Sequence, residues 1–151
     1  MTLSVVSPVS GRVIPLTEVP DPVFAQAMVG PGLAVDPERR AGEVLAPIDG
    51  TVVTLHPHAF VVAAESGAAV LVHLGIDTVK LRGEGFTLHV VKGETVRAGQ
   101  PVISWDPAAV ESGGRSPVCP VIALDATAEA LADLRESGPV AAGEPLFTWL
   151  R

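Results

Sequence analysis

The chain has 151 residues, a formal net charge of −7 and 48% apolar residues, enough to bury the core of a single domain spanning 1–151. The acidic balance argues against nucleic acid as a partner, because that binding rests on basic neutralisation of phosphates. No apolar run approaches the roughly 20 residues that span a bilayer.

The lone cysteine, Cys119, excludes an internal disulfide framework, fits a reducing cytoplasm and reads as a small core hydrophobe. With 15 Gly, 14 Pro and no Tyr, and with Val the commonest residue, the composition predicts many short strands and tight turns. The N-terminus, Met1 to Pro8, has neither a basic segment nor a long apolar one, so no signal peptide is expected.

In chain order, strands are expected near 3–6, 11–16, 33–35, 51–55, 59–64, 69–74, 78–80, 86–91, 101–104, 117–123 and 146–149. Asp21-Pro22 opens a short helix that Gly30 closes, with Asp21 as N-cap. Asp106-Pro107 carries the same start signal, and Thr127 to Glu136 is the strongest helical pattern, with Leu131 and Leu134 on one face. Two echoes run through the chain. Ser7-Pro8-Val9-Ser10-Gly11-Arg12-Val13 matches Ala46-Pro47-Ile48-Asp49-Gly50-Thr51-Val52, and Val96 to Val102 matches Val140 to Leu146. Repeated β units inside one domain predict an antiparallel β-sandwich with an internal pseudo-repeat and a few short helices.

Three of the four histidines fall in two apolar, strand-like runs, Leu55 to Phe60 and Val70 to Asp77, separated by the turn signal Glu65-Ser66-Gly67-Ala68. A hairpin centred between Ser66 and Gly67 sets Phe60 opposite His73. Strand alternation then places His58, Phe60 and His73 on one face, with the two imidazoles as diagonal neighbours. A one-residue slip would separate them. One histidine in an apolar run is more often a satisfied core residue than a site. Two on one face would demand two buried hydrogen-bonding solutions, which a shallow, partly exposed apolar patch supplies more easily.

Neutral imidazole serves as nucleophile, acid–base group or metal ligand. A zinc hydrolase would take three ligands and an open position, and His56, His58 and His73, with Asp77 near, form a candidate set. Pro57 interrupts that set, and no separate general base stands out. Gly93 to Val102 has the turn pattern of biotinyl- or lipoyl-type carriers, but no attachment lysine occupies a hairpin tip. His89 has no partner in sequence and reads as structural or surface.

Taken together, Ala46-Pro47-Ile48-Asp49-Gly50, His58-Ala59-Phe60, Val72 to Val79 and Gly83-Glu84-Gly85-Phe86 resemble the glucose-type enzyme IIA component of the phosphoenolpyruvate:sugar phosphotransferase system. The similarity runs from about Ser7 to the C-terminus. It implies an antiparallel sandwich of the duplicated hybrid motif type with a shallow apolar active face and no required cofactor.

By that resemblance His73 accepts a phosphoryl group from the phosphocarrier protein HPr and passes it to a cysteine of a IIB domain of the sugar permease. Glucose and N-acetylglucosamine are the implied sugar classes. His58 assists, Asp77 stands beside the face, and Val23, Phe24, Met28, Val29 and Leu71 fall at apolar docking positions. Zinc shared by His58 and His73 with a partner carboxylate is allowed by the resemblance. Two departures stand out: His56 replaces the usual Thr, and Leu71 replaces an aromatic. The chain starts almost at its first strand, so no membrane tether or insertion is expected.

Overall fold

The structure, a computed structural model, describes residues 2–150. Its strands are β1 (Thr2–Val6), β2 (Gly11–Pro15), β3 (Gly32–Pro37), β4 (Gly42–Leu45), β5 (Gly50–His56), β6 (Ala59–Ala63), β7 (Ala69–His73), β8 (Thr87–Leu88), β9 (Thr95–Val96), β10 (Pro101–Trp105), β11 (Cys119–Ala123), β12 (Leu131–Ala132), β13 (Gly138–Val140) and β14 (Pro145–Leu150). The helices are α1 (Pro22–Ala25) and α2 (Pro107–Ser112), with three short 3₁₀ turns. An eight-stranded sheet runs β13-β2-β3-β11-β7-β6-β5-β9, and two three-stranded sheets, β1-β14-β12 and β4-β10-β8, complete an antiparallel β-sandwich.

The large sheet is apolar on both faces, for different reasons. Leu33, Val35, Phe60, Val70, Val72 and Val121 point into the main core with Ile48, Ile103 and Phe147. Their neighbours Ala34, Leu71 and Ile122 point the other way and are covered by Leu16, Val19, Phe24 and Ile76. Cys119 is fully buried, and burial pushes its thiol up to about 12, consistent with a core hydrophobe.

The two sequence echoes form a reciprocal joint. Ser7 N–H donates to Glu144 O and Gly143 N–H to Ser7 O, each at 2.8 Å. In the matching half, Ala46 N–H donates to Gln100 O at 2.8 Å and Gly99 N–H to Ala46 O at 2.9 Å. Side chains repeat the pattern: Ser10 Oγ accepts from Ala142 N–H and Asp49 Oδ1 from Ala98 N–H. Between the halves, Val6 N–H reaches Pro47 O and Leu45 N–H reaches Pro8 O. The echoes are therefore two copies of one β unit, docked on each other through their Pro-x-x-Gly turns.

Several expected elements differ. The β6–β7 loop is centred on Ser66, with Ala64 N–H bonded to Ala68 O and Gly67 at φ 94°. The register therefore pairs Ala59 with His73 and Phe60 with Val72, one residue away from the expected pairing. Phe60 turns into the main core, on the face opposite His73. Residues 127–136 form only a 3₁₀ turn, Ala128–Ala130, before β12 pairs Leu131 with Trp149. Leu131 is buried while Leu134 is exposed, so the apparent helical face is not one face.

The segment 78–80 is a 3₁₀ turn, not a strand, because left-handed Asp77 and Arg82 bracket it. The strand expected over 86–91 shortens to Thr87–Leu88. Helix α1 starts at its Asp21 cap as expected but ends at Ala25, and Ala27 at φ 52° turns the chain toward β3.

The duplicated turns generate a paired prediction. A Cβ added at Gly11 would sit 2.1 Å from Asp36 O, and one at Gly50 2.2 Å from Ala63 O. Gly11→Ala and Gly50→Ala should each cost about 2 kcal/mol, the scale of overpacking against backbone. Gly42→Ala, with nothing within 4 Å, should be neutral in the same urea denaturation series.

Candidate functional site

His73 ends β7, just before the chain leaves the sheet at Gly75, whose φ is 78°. That left-handed turn brings the Gly75 carbonyl back to His73, whose Nδ1 lies 2.5 Å from it. A carbonyl can only accept, so Nδ1 carries the proton and Nε2 is left with its lone pair. Ile76 N–H is held by Ser116 O at 2.8 Å, which anchors the turn to the segment after α2.

His58 reaches the same place from a different element. Strands β5 and β6 join through the two-residue turn Pro57-His58, closed by the pairing of His56 with Ala59. His58 is thus outside strand alternation, and the register that turns Phe60 inward leaves it beside His73. The two rings lie 5.3 Å apart, centroid to centroid, edge-on at 69°. The backbones are tied as well, Leu74 N–H donating to His58 O at 2.8 Å.

His56 stacks on the other side of His58, at 5.6 Å and 21°. Phe24 of α1 closes the row at 5.2 Å from His73, tilted by 58°. The result is a line of rings, His56–His58–His73–Phe24, running from solvent to a buried phenyl.

Burial dominates the electrostatics. Desolvation lowers the His73 pKa, outweighing the Gly75 hydrogen bond and the carboxylates of Asp21 and Asp77, which raise it. His58 is also lowered, first by desolvation, then by repulsion from His73 and His56. Both imidazoles are therefore held neutral near pH 7.

The expected site residues are largely brought together. His58, His73 and Phe24 are in ring contact, and Asp77 is exposed in the turn after β7. Val23 and Met28 are exposed at 39% and 67%, around a half-buried Val29 and Leu71. Phe24 is buried, so it backs the His73 ring from below.

Val79, in the turn after Asp77, is a further exposed apolar residue, at 57%. Asp21, the cap of α1, also faces the site closely enough to raise the His73 pKa. Gly75 acts through its backbone, and its one sequence signal is a glycine two residues after the histidine. Among the described residues no group of three His, Cys, Asp or Glu is arranged to hold a metal ion. His56 is in ring contact with His58, and His58 with His73. His89 lies apart, bonded to Ser104 Oγ on the exposed side of β10.

Residues 3–128 match the family described as phosphoenolpyruvate-dependent sugar phosphotransferase system, EIIA 1. The chain belongs to this EIIA family. A glucose-specific EIIA component from Oceanobacillus iheyensis is 49% identical over 122 residues, covering 80% of this chain and 73% of that protein. A glucose-specific EIIBCA component of Corynebacterium glutamicum is 41% identical over 126 residues, and a mannose-specific EIIBCA component from the same species is 43% identical over the same length. This chain spans 18% of each of those two longer proteins.

Glucose permease IIA from Mycoplasma capricolum superposes with a TM-score of 0.89 at 33% identity, covering 98% of this chain and 96% of that one. The EIIA chain is a phosphocarrier, a protein that transfers phosphoryl groups within the sugar phosphotransferase system. The zinc-hydrolase alternative finds no support in the family or in the ring geometry. Among the described residues no helix is long and apolar enough to cross a membrane.

The lowered imidazoles set a pH dependence. Below the usual imidazole value of about 6.5 the unfolded chain binds protons that the folded site resists, so stability rises with pH in that window and is lost as pH falls. Ring-resolved NMR titration should place the His58 and His73 midpoints below 6.5. Urea midpoints should fall on acidification from pH 7 to 5, and less so in a His58→Ala, His73→Ala double variant.

Proposed function

We propose that His73 is the phosphoryl acceptor, with phospho-HPr as donor and a IIB cysteine of a permease of the glucose or N-acetylglucosamine class as recipient. The observation that carries this reading is the pairing of a neutral His73, with Nδ1 bonded to Gly75 O, and a second imidazole 5.3 Å away. The glucose-specific relatives support the sugar class, and the whole chain, 1–151, acts as one domain.

The Nε2 lone pair of His73 attacks phosphorus as the nitrogen–phosphorus bond of the donor breaks, and the donor imidazole keeps that electron pair. In the second transfer a cysteine thiolate attacks phosphorus, and the lone pair returns to Nε2. Throughout, Nδ1–H stays on the Gly75 carbonyl, which accepts more strongly as positive charge develops on the ring. His58 presents an N–H to the phosphoryl oxygens, whose negative charge it stabilises.

The exposed Val23, Met28 and Val79 form the apolar rim on which the two partners dock in turn, with Val29 and Leu71 behind them. A docked partner excludes water from the phosphohistidine. Asp21 and Asp77 add negative potential to a chain of net charge −7 and steer basic partner faces. His56 supports His58 by stacking. The phosphocarrier reading needs no cofactor.

Transfer of labelled phosphate from phospho-HPr tests the roles. His73→Ala should take up no label. His58→Ala keeps the nucleophile but loses a donor to the developing charge, and should slow by about 10²–10³. His56→Thr should remain active, and His89→Ala should match wild type. Uptake at the wild-type rate by folded His73→Ala would reassign the acceptor.

A further inference from the structure

Only two polar side chains, Ser7 and Thr78, are fully buried among the described residues. Ser7 Oγ closes a local turn onto Val9 O. Thr78 does something less local. Its Oγ1 donates to Leu74 O at 2.7 Å, reaching back across the turn that carries Gly75. The Leu74 peptide nitrogen is the donor to His58 O.

Leu74 is thus held at both ends. Its N–H ties it to the helper histidine, and its carbonyl is fixed by Thr78. It sits between His73 and Gly75, the two partners of the Nδ1 bond. Thr78 also lies close to Gly75, where a Cβ would come within 2.7 Å of Thr78 Cγ2 and 2.9 Å of Ser116 O.

We propose that Thr78 is a positioning residue for phosphoryl transfer. Its hydroxyl fixes the Leu74 peptide, so the Gly75 carbonyl stays on His73 Nδ1 and the ring keeps one tautomer. Serine supplies the hydroxyl without the methyl, and valine the shape without the hydroxyl. Without the hydroxyl, Leu74 O loses its buried donor and the turn relaxes. The Gly75 carbonyl then no longer holds the proton on Nδ1, and a fraction of His73 carries it on Nε2, where it blocks attack.

This inference rests on His73 being the acceptor, but its primary readout does not. Ring ¹⁵N shifts of His73 report the tautomer in the unphosphorylated full-length protein. Wild type should show Nδ1–H alone, Thr78→Val a mixture of tautomers, and Thr78→Ser a return to Nδ1–H. The kcat for uptake from phospho-HPr should drop about ten- to a hundredfold in Thr78→Val with KM unchanged, because the docking rim is untouched.

If Thr78→Val does not fold, Thr78→Ser and Thr78→Ala decide, serine retaining the single tautomer and alanine losing it. A Thr78→Val protein with pure Nδ1–H and wild-type kcat overturns the proposal, as does a Thr78→Ser protein with mixed tautomers. Failure of the acceptor assignment shows separately, as label uptake by His73→Ala.

Discussion

A histidine that receives phosphorus needs one ring nitrogen bare and the other protonated, and at His73, the proposed acceptor, one hydrogen bond chooses between them. The bond from His73 Nδ1 to the Gly75 carbonyl is short and local, and it exists only because the chain takes a left-handed step at Gly75 directly after β7. An ordinary strand continuation would carry that carbonyl away from the ring. The proposed nucleophile is therefore prepared by the way a strand ends. The surrounding structure serves largely to make that ending the same in every molecule: Ser116 O holds Ile76, Thr78 holds Leu74, and Leu74 holds His58.

The two-faced sheet supplies the environment for this turn. One face of β7 sends Val70 and Val72 into the main core, while the other carries Leu71 and His73 under a thin apolar cover. That cover is thick enough to desolvate the imidazoles and keep them neutral. It is also incomplete, leaving Val23, Met28 and Val79 in solvent. A deeper pocket would shut out protein partners, and a bare surface would leave both rings protonated more often and any phosphohistidine open to water. The site lies between these extremes because α1 is short, and the chain beyond it turns back at Ala27 before it can roof the histidines.

Much of this was legible in the residues. The echoes around Pro8 and Pro47, and around Gly99 and Gly143, marked the duplication, and they proved to be the hydrogen-bonded joint between the halves. The pairing of His58 with His73 was also legible, though in a register one residue from the one the turn signal predicts. A loop centred on Ser66 shifts the register by one, sending Phe60 to the core. The pairing survives because Pro57 makes a turn of the place where a strand was expected. Residues 127–136 misled in another way. Their leucine spacing looks helical, but Arg135 N–H bonds Leu146 O and Leu131 pairs with Trp149, so β14 claims the backbone. Gly75 and Thr78 were hidden because their contributions, a carbonyl direction and a buried hydroxyl, leave no charge or periodicity to read.

The first strand and the last lie side by side. Thr2 pairs with Leu150 and Val5 with Phe147, so the sheet that carries β1 is completed only when β14 is available. Contacts that distant in sequence are entropically late and slow to form. On the ribosome, β1 must wait until β14 has emerged, and until then the Ser7 joint lacks its Gly143 and Glu144 partners. The half built around Ala46, Gly99 and Gln100 has no such wait, since its strands, β4 to β10, are complete by Trp105. Duplication thus gives the molecule two equal halves in space and two unequal ones in time. The half that carries both histidines, through β5, β6 and β7, is the one that can assemble first.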